Sequence, residues 1–477
     1  MVHPRLVACS VLVLTAMTAP VVAQDQPSDR AALEQEVRDL RQAVLVLQAR
    51  LDAVENAAAA SQSGPTTPAT TAQASAATNA AAPGQIARPQ QRVEAANLPE
   101  RNTIADELTG VARADTAAPP NDPQLRGFIP IPGTETMVKL GGFAKVNAIY
   151  DFGPAGNTDK LVTATIPIDG GDAHNANLDA NATRFSFDVR RPSSLGPLRF
   201  YLENDFYGGS GVTAFRLRQA HGQVGNTYAG YGYSAFTDSD AFPETLDDEG
   251  PGGEALLRVA AIRQIWKLGG GATATLSVED PASDITLAAD QAATQPAPDV
   301  TAAVRIERHW GHVQSSVLLR QLGYRQGDRD ESAFGYGLSL SALAKVGDDF
   351  LMAGATYGDG VSRYFNDLGG RGYDGAIDTN GDLKTLSAYG GYLGLTRHWN
   401  ARWRSNLVGG MVMLDRDDLL APSAFRSSRY GAANLIWAVS PNFSVGLEAL
   451  YGRHELQDGR AADVTRLQAS FKYDFVR

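Results

Sequence analysis

Apolar and polar side chains alternate with a period of two in segment after segment from Val138 onward. After Ala23, no apolar run is long enough to cross a membrane as a helix. In Val138 to Tyr150, the residues Val138, Leu140, Val146 and Tyr150 oppose Lys139, Lys145 and Asn147. Thr183 to Arg191 sets Phe185, Phe187 and Val189 against Arg184, Asp188 and Arg190, and Leu198 to Tyr207 sets Phe200 and Leu202 against Arg199, Glu203 and Asp205. The closing segment opposes Leu467, Phe471 and Phe475 to Arg466, Lys472 and Asp474. Each is a strand with one apolar and one polar face. With a mean hydropathy of −0.21 and 48 glycines, any membrane span in this chain must be β, where every second residue is enough to meet lipid.

Alternation is common to soluble sandwiches and membrane barrels, and the connectors separate the two. About sixteen segments are joined alternately by very short turns (192–197, 225–227, 268–271, 310–312, 346–349, 398–401, 439–442) and by mostly longer loops (152–182, 237–255, 280–299, 358–383). Trp266, Trp310, Trp399, Trp403 and Trp437 all fall in or near the short turns. Tryptophan favours the headgroup level, so its sorting to one end predicts an aromatic girdle. The expected fold is an all-β transmembrane barrel of about 16 antiparallel strands over 125–477, with both termini in the periplasm.

Three segments precede it. Residues 1–23 combine a basic start with an apolar stretch and a small-residue end at Val21-Val22-Ala23, the pattern of a cleaved signal peptide. Cys9, the one cysteine, would leave with it, although a lipid anchor on Cys9 is an alternative. Residues 24–56 carry a heptad seam, with Leu33, Leu40, Leu47 and Val54 at d and Val37, Val44 and Leu51 at a. A periplasmic coiled coil is expected there, and its β-branched a positions by themselves favour two strands. A surface amphipathic helix is the plainer alternative. Residues 57–124 are a run of Ala, Thr, Gln, Pro and Ser too poor in apolar side chains to fold, and read as a flexible linker.

Forty-two basic against 53 acidic residues give a net charge of −11, which argues against a nucleic-acid partner. The seven histidines form no pair at ligand spacing, and no G-x-S-x-G or phosphate-loop motif occurs. Neither an enzyme nor a cofactor nor a metal centre is expected. The acids and Asn380 of the 374–382 loop (Asp374, Asp378, Asp382) match a calcium loop only in part and are read as a turn cluster.

Gly127-Phe-Ile-Pro-Ile-Pro-Gly-Thr-Glu-Thr, Lys139-Leu-Gly-Gly-Phe-Ala-Lys, Tyr201-Leu-Glu-Asn-Asp-Phe-Tyr-Gly, Phe215-Arg-Leu-Arg-Gln-Ala-His, Phe242-Pro-Glu-Thr-Leu-Asp and Tyr357-Gly-Asp-Gly-Val-Ser-Arg-Tyr together resemble the DcaP-like porins. The resemblance runs from about Leu125 to the end; the family's usual terminal aromatic is replaced here by Val476 and Arg477 after Phe475. It implies a homotrimer of 16-stranded outer-membrane barrels with a periplasmic coiled coil, set among outer-membrane lipid and lipopolysaccharide. It also implies passage of small anionic solutes such as dicarboxylates.

A channel of this kind works through the charges lining its lumen. Arg184, Arg190, Arg199, Arg216, Arg218, Lys139 and Lys145 alternate onto the polar face, with Arg258, Arg305 and Arg320 as further lumen candidates. Guanidinium groups bind carboxylate bidentately, so several in one constriction would favour dianions. The structural alternative is that they pair with Asp188, Glu203 and Asp205 and brace the wall. The loop 237–255 holds Asp238, Asp240, Glu244, Asp247, Asp248, Glu249 and Glu254 and no base. Folded inward, it would set acids against the arginines and weaken anion preference; folded outward, it would face lipopolysaccharide-bound cations. Rival readings are a porin for phosphate or sugars and a coiled-coil structural or adhesive protein anchored by a barrel.

Overall fold

The computed structural model describes residues 127–209 and 213–475. The expected signal peptide and coiled coil, and nearly all of the linker, lie outside the described residues. Nineteen strands share one sheet. Three of them are short extensions (Ile129–Pro130, Asn175–Asp179 and Gln291–Thr294). The remaining sixteen are β1 (Met137–Asp151), β2 (Arg184–Arg191), β3 (Leu198–Asp205), β4 (Arg216–Val224), β5 (Thr227–Tyr233), β6 (Arg258–Gly269), β7 (Ala272–Glu279) and β8 (Asp299–Arg308), followed by β9 (Gly311–Gln326), β10 (Arg329–Val346), β11 (Asp349–Asp359), β12 (Ser387–His398), β13 (Trp403–Leu414), β14 (Phe425–Ser440), β15 (Phe443–Leu456) and β16 (Ala461–Asp474).

Every neighbouring pair is antiparallel. The last strand returns to the first, with Phe143 opposite Asp474 and Asp151 opposite Arg466. Closure leaves no unpaired edge, which is what a sheet in hydrocarbon requires. A bulge at Glu203/Asn204 lets both Arg216 and Arg218 of β4 face inward although the next inward residue is Gln219.

The exterior carries the apolar half of the alternation. Leu393 and Leu407 are 70% and 63% exposed on the isolated chain, as lipid-facing positions should be. All five tryptophans lie at the short-turn rim, where Trp403 and Trp437 stack at 5.7 Å. Tyr150, Phe152, Tyr336, Tyr357 and Tyr451 stand outward toward the other rim. The two rows are the girdles of a bilayer-spanning barrel.

The interior departs from simple alternation. Residues 234–257, joining β5 to β6, turn inward and follow the inner wall from β8 round to β1. The 360–386 loop joins them in a hydrophobic cluster of Phe236, Leu257, Val361, Tyr364 and Phe365 against Leu318 of β9 and Val412 of β13. Glycines form the bed for the inward loop: a side chain at Gly394 would overlap Pro243, one at Gly410 would stand 2.6 Å from Pro251, and one at Gly446 2.7 Å from Leu246. Strands whose inner face meets the loop therefore carry glycine at the points of closest approach, between the charged residues that bind it.

Candidate functional site: a charged lumen with an inward loop

The inward loop is fastened by its acids. Asp238 accepts hydrogen bonds from Arg305 (2.9 Å) and Ser341 (2.6 Å) and lies 2.9 Å from His312. Asp240 pairs with Arg305 at 2.7 Å, and Glu244 accepts from Nε of Arg404 at 2.7 Å. Asp247 stands 3.6 Å from Arg466, and Glu249 is 2.9 Å from Lys160. Asp248 accepts from Lys145 (2.7 Å), Asn147 (3.1 Å) and Tyr207 (2.8 Å). On the backbone side, Glu448 of β15 accepts from the N–H groups of Leu246 and Asp247, and Gln468 of β16 donates to the Leu246 carbonyl. Such charge-assisted bonds in a buried setting hold a loop that has little regular structure of its own.

The sequence left this loop either inside or outside the barrel, and the geometry places it inside. Six of these acids have a base beside them: Asp238, Asp240, Glu244, Asp247 and Asp248 on the strands that the loop follows, and Glu249 at Lys160 of the 152–182 loop. Glu254 alone has acids, Glu249 and Asp367, as its nearest charged neighbours.

Arg305 and Arg320 both face inward, and both are held in ion pairs: Arg305 is the clamp for Asp238 and Asp240. Arg320 donates to Asp374 (2.9 Å) and to the carbonyls of Gly360 (2.7 Å) and Ala282 (2.6 Å), tying two loops to β9. Lys145 is likewise held by the loop. Asp374, one of the acids of the would-be calcium cluster, is thus an arginine partner, while Asp378 accepts from the backbone of Asn380 and Asp382 with Lys384 3.9 Å away.

The remaining arginine candidates converge on β2–β6. Arg199 and Arg190 both bind Asp188, at 2.9 and 3.0 Å. Arg218 holds Glu203 (2.7 Å) and Asp205 (2.9 Å), Arg216 also reaches Asp205, and Arg184 stands 3.8 Å from Glu203. Tyr233 accepts hydrogen bonds from both Arg218 (3.1 Å) and Arg258 (3.2 Å). Arg258 opens β6 at the mouth of the inward loop, which is why alternation placed it poorly. Lys139 sits opposite Asp188 in register.

Two features escaped the sequence reading. Arg263 is buried on the same wall, 3.9 Å from Glu279; its place opposite outward Ile262 and Trp266 made it legible by parity. A row of rings, Tyr201, His221 and Tyr228, crosses three strands at 5.5 and 4.6 Å, with Arg199 over Tyr201 (4.9 Å) and Arg263 over Tyr228 (4.6 Å). The guanidinium groups cover one face of each tyrosine, so the row is a cation–π ladder and not an open aromatic track. In sum this wall sets seven arginines, Arg184, Arg190, Arg199, Arg216, Arg218, Arg258 and Arg263, against Asp188, Glu203, Asp205 and Glu279.

Comparison with known proteins places this architecture. The chain resembles the outer membrane channel DcaP of Acinetobacter baumannii with a TM-score of 0.66 at 24% identity, over 73% of this chain and 99% of that one. An anion-selective porin from Comamonas acidovorans aligns with a TM-score of 0.47 at 13% identity, over 71% of this chain and all of that one (100%). No curated protein matches the sequence. A sequence model of the porin subfamily matches residues 126–469, nearly the whole barrel, and the chain belongs to that family of bacterial outer-membrane channels.

Proposed function

We propose that this porin is an anion-preferring channel for small hydrophilic solutes, dicarboxylates foremost. The observation that carries the reading is the segregation of charge: six of the inward loop's seven acids have bases beside them, and the β2–β6 wall keeps more arginine than carboxylate. In a narrow, low-dielectric passage, such an excess lowers the barrier for anions and raises it for cations. Paired arginines suit a solute with two carboxylates because each fork can take one end. The cation–π ladder supports charge over sugar selection, since Arg199 and Arg263 occupy ring faces that a sugar would need.

The assembly goes with this reading as a homotrimer. The short-turn tryptophans run from β6 to β14 and are missing from β1–β5, where outward Gly142, Ala144, Ala148, Ala220 and Gly222 suit a flat protein contact better than a lipid girdle. The 24–56 heptads would align subunits in the periplasm behind the 57–124 linker, after removal of the 1–23 signal.

The test is reversal potential in planar bilayers under a potassium chloride gradient, followed by succinate titration. Anion preference with succinate block is expected, and replacing Arg184, Arg199 and Arg218 together by Gln should move the preference toward neutrality. Cation preference of the parent channel would overturn the reading.

A further inference from the structure

Arg429 and Arg453 are direct cross-strand partners on β14 and β15, and both point away from the lumen. Like charges placed opposite one another on a sheet destabilise it unless a counter-charge is shared. Asp463 of β16, in register with Arg453, supplies part of that at 3.3 Å. Arg429 is exposed and makes no ion pair or hydrogen bond among the described residues.

The height of the pair identifies what lies beside it. Trp437 marks the short-turn girdle on the same strand, eight residues from Arg429. At roughly 3.3 Å per residue that is ~26 Å along the strand. With a strand tilt of about 40° the vertical rise is ~20 Å, close to the height of the apolar band. Tyr451, the outward residue one step below Arg453 on the same face, is the upper aromatic marker. Two guanidinium groups therefore stand at the headgroup level of the outer leaflet, above a belt of outward leucines at 407, 435 and 447. That belt, with Trp403 and Trp437 at its base, is a lipid-facing surface.

We infer that Arg429 and Arg453 form a binding site for a phosphorylated lipid headgroup of the outer leaflet. A phosphate monoester offers several acceptor oxygens to two planar forks and supplies the counter-charge that the arginine pair lacks. The inference rests on the barrel's residence in the outer membrane and not on which solute it carries.

Native mass spectrometry of the detergent-purified full-length assembly tests it, with bisphosphorylated lipid A, its dephosphorylated form and inorganic phosphate as probes. The phosphorylated lipid should bind, and the dephosphorylated lipid should not. Inorganic phosphate should fail to displace the lipid at matched concentration. Replacing both arginines (R429Q with R453Q) should weaken binding roughly tenfold, whereas Asp463→Asn, which frees Arg453, should strengthen it roughly threefold. Single-channel conductance of both variants should equal that of the parent, because neither side chain enters the lumen; this also reports correct folding. Undiminished binding to the double variant, or equal binding of the dephosphorylated lipid, would overturn the site. So would dissociation of the double variant's assembly with lipid per subunit unchanged, which would mean that the arginines meet a second copy. If the double variant does not assemble, D463N alone decides by the direction of its change.

Discussion

Among the acids of the inward loop, Glu254 is distinguished by what surrounds it. It is 1% exposed, no base among the described residues answers it, and burial followed by the nearby charges of Glu249 and Asp367 raises its pKa well above the ordinary carboxylate value. Asp374 behaves alike in milder form: burial pushes it up to about 7, with Asp284 adding to the rise and Arg320 opposing it. A carboxyl whose folded pKa exceeds its unfolded value holds its proton more tightly when folded. Its contribution to stability is complete below the unfolded value and is lost as pH rises toward the folded one. Glu254→Gln should therefore be nearly neutral at pH 4.5 and increasingly stabilising toward pH 8. Thermal unfolding of parent and variant across that range measures it; a melting-point difference that is constant with pH would refute the assignment.

At the scale of elements, the inward loop and the strands beneath it were chosen together. Gly394, Gly410 and Gly446 lie on the inner faces of β12, β13 and β15, where the loop's Pro243, Pro251 and Leu246 press against the sheet. Glycine weakens a strand interior, and its use there is explained by close approach of another backbone. Gly394→Leu should lift Pro243 off the wall and push the loop toward the lumen. Conductance should fall, and stability should drop by about 1–3 kcal/mol from overpacking; single-channel recording and heat-modifiable migration read the two effects. The outer alternation, the parity of the connectors and the sorting of the tryptophans were legible in the sequence because each follows from a local period or from the lipid alone. The path of the 234–257 loop was not, because it depends on pairs such as Lys145 with Asp248 and Glu244 with Arg404, more than a hundred residues apart. For the same reason parity could find Arg305 and Arg320 on the inner face but could not tell that loop carboxylates had claimed them.

At the scale of the whole molecule, a chain with net charge −11 encloses a wall where arginine outnumbers carboxylate, so overall charge is a poor guide to the passage. What a permeating ion meets is set by the groups within a few ångströms, and by which of them are already paired. The guanidinium excess on β2–β6 is fixed to short strands whose turns, such as 225–226, leave little freedom, while Asp238, Asp240 and Glu244 of the inward loop are bound to bases of β8 and β13. A field with this origin acts over the Debye length, about 10 Å at 0.1 M salt and 3 Å at 1 M. Anion preference should accordingly be strong when reversal potentials are taken across dilute gradients and shrink markedly in molar salt. Neutralising the clamp instead of the wall gives the contrasting case. With Arg305→Gln, Asp238 and Asp240 lose their shared partner, their charge is released toward the lumen, and anion preference should fall even though no residue of the β2–β6 wall has changed. If selectivity were the same at 0.1 M and 1 M, a steric filter would govern permeation, and the charge segregation would serve only to hold the loop.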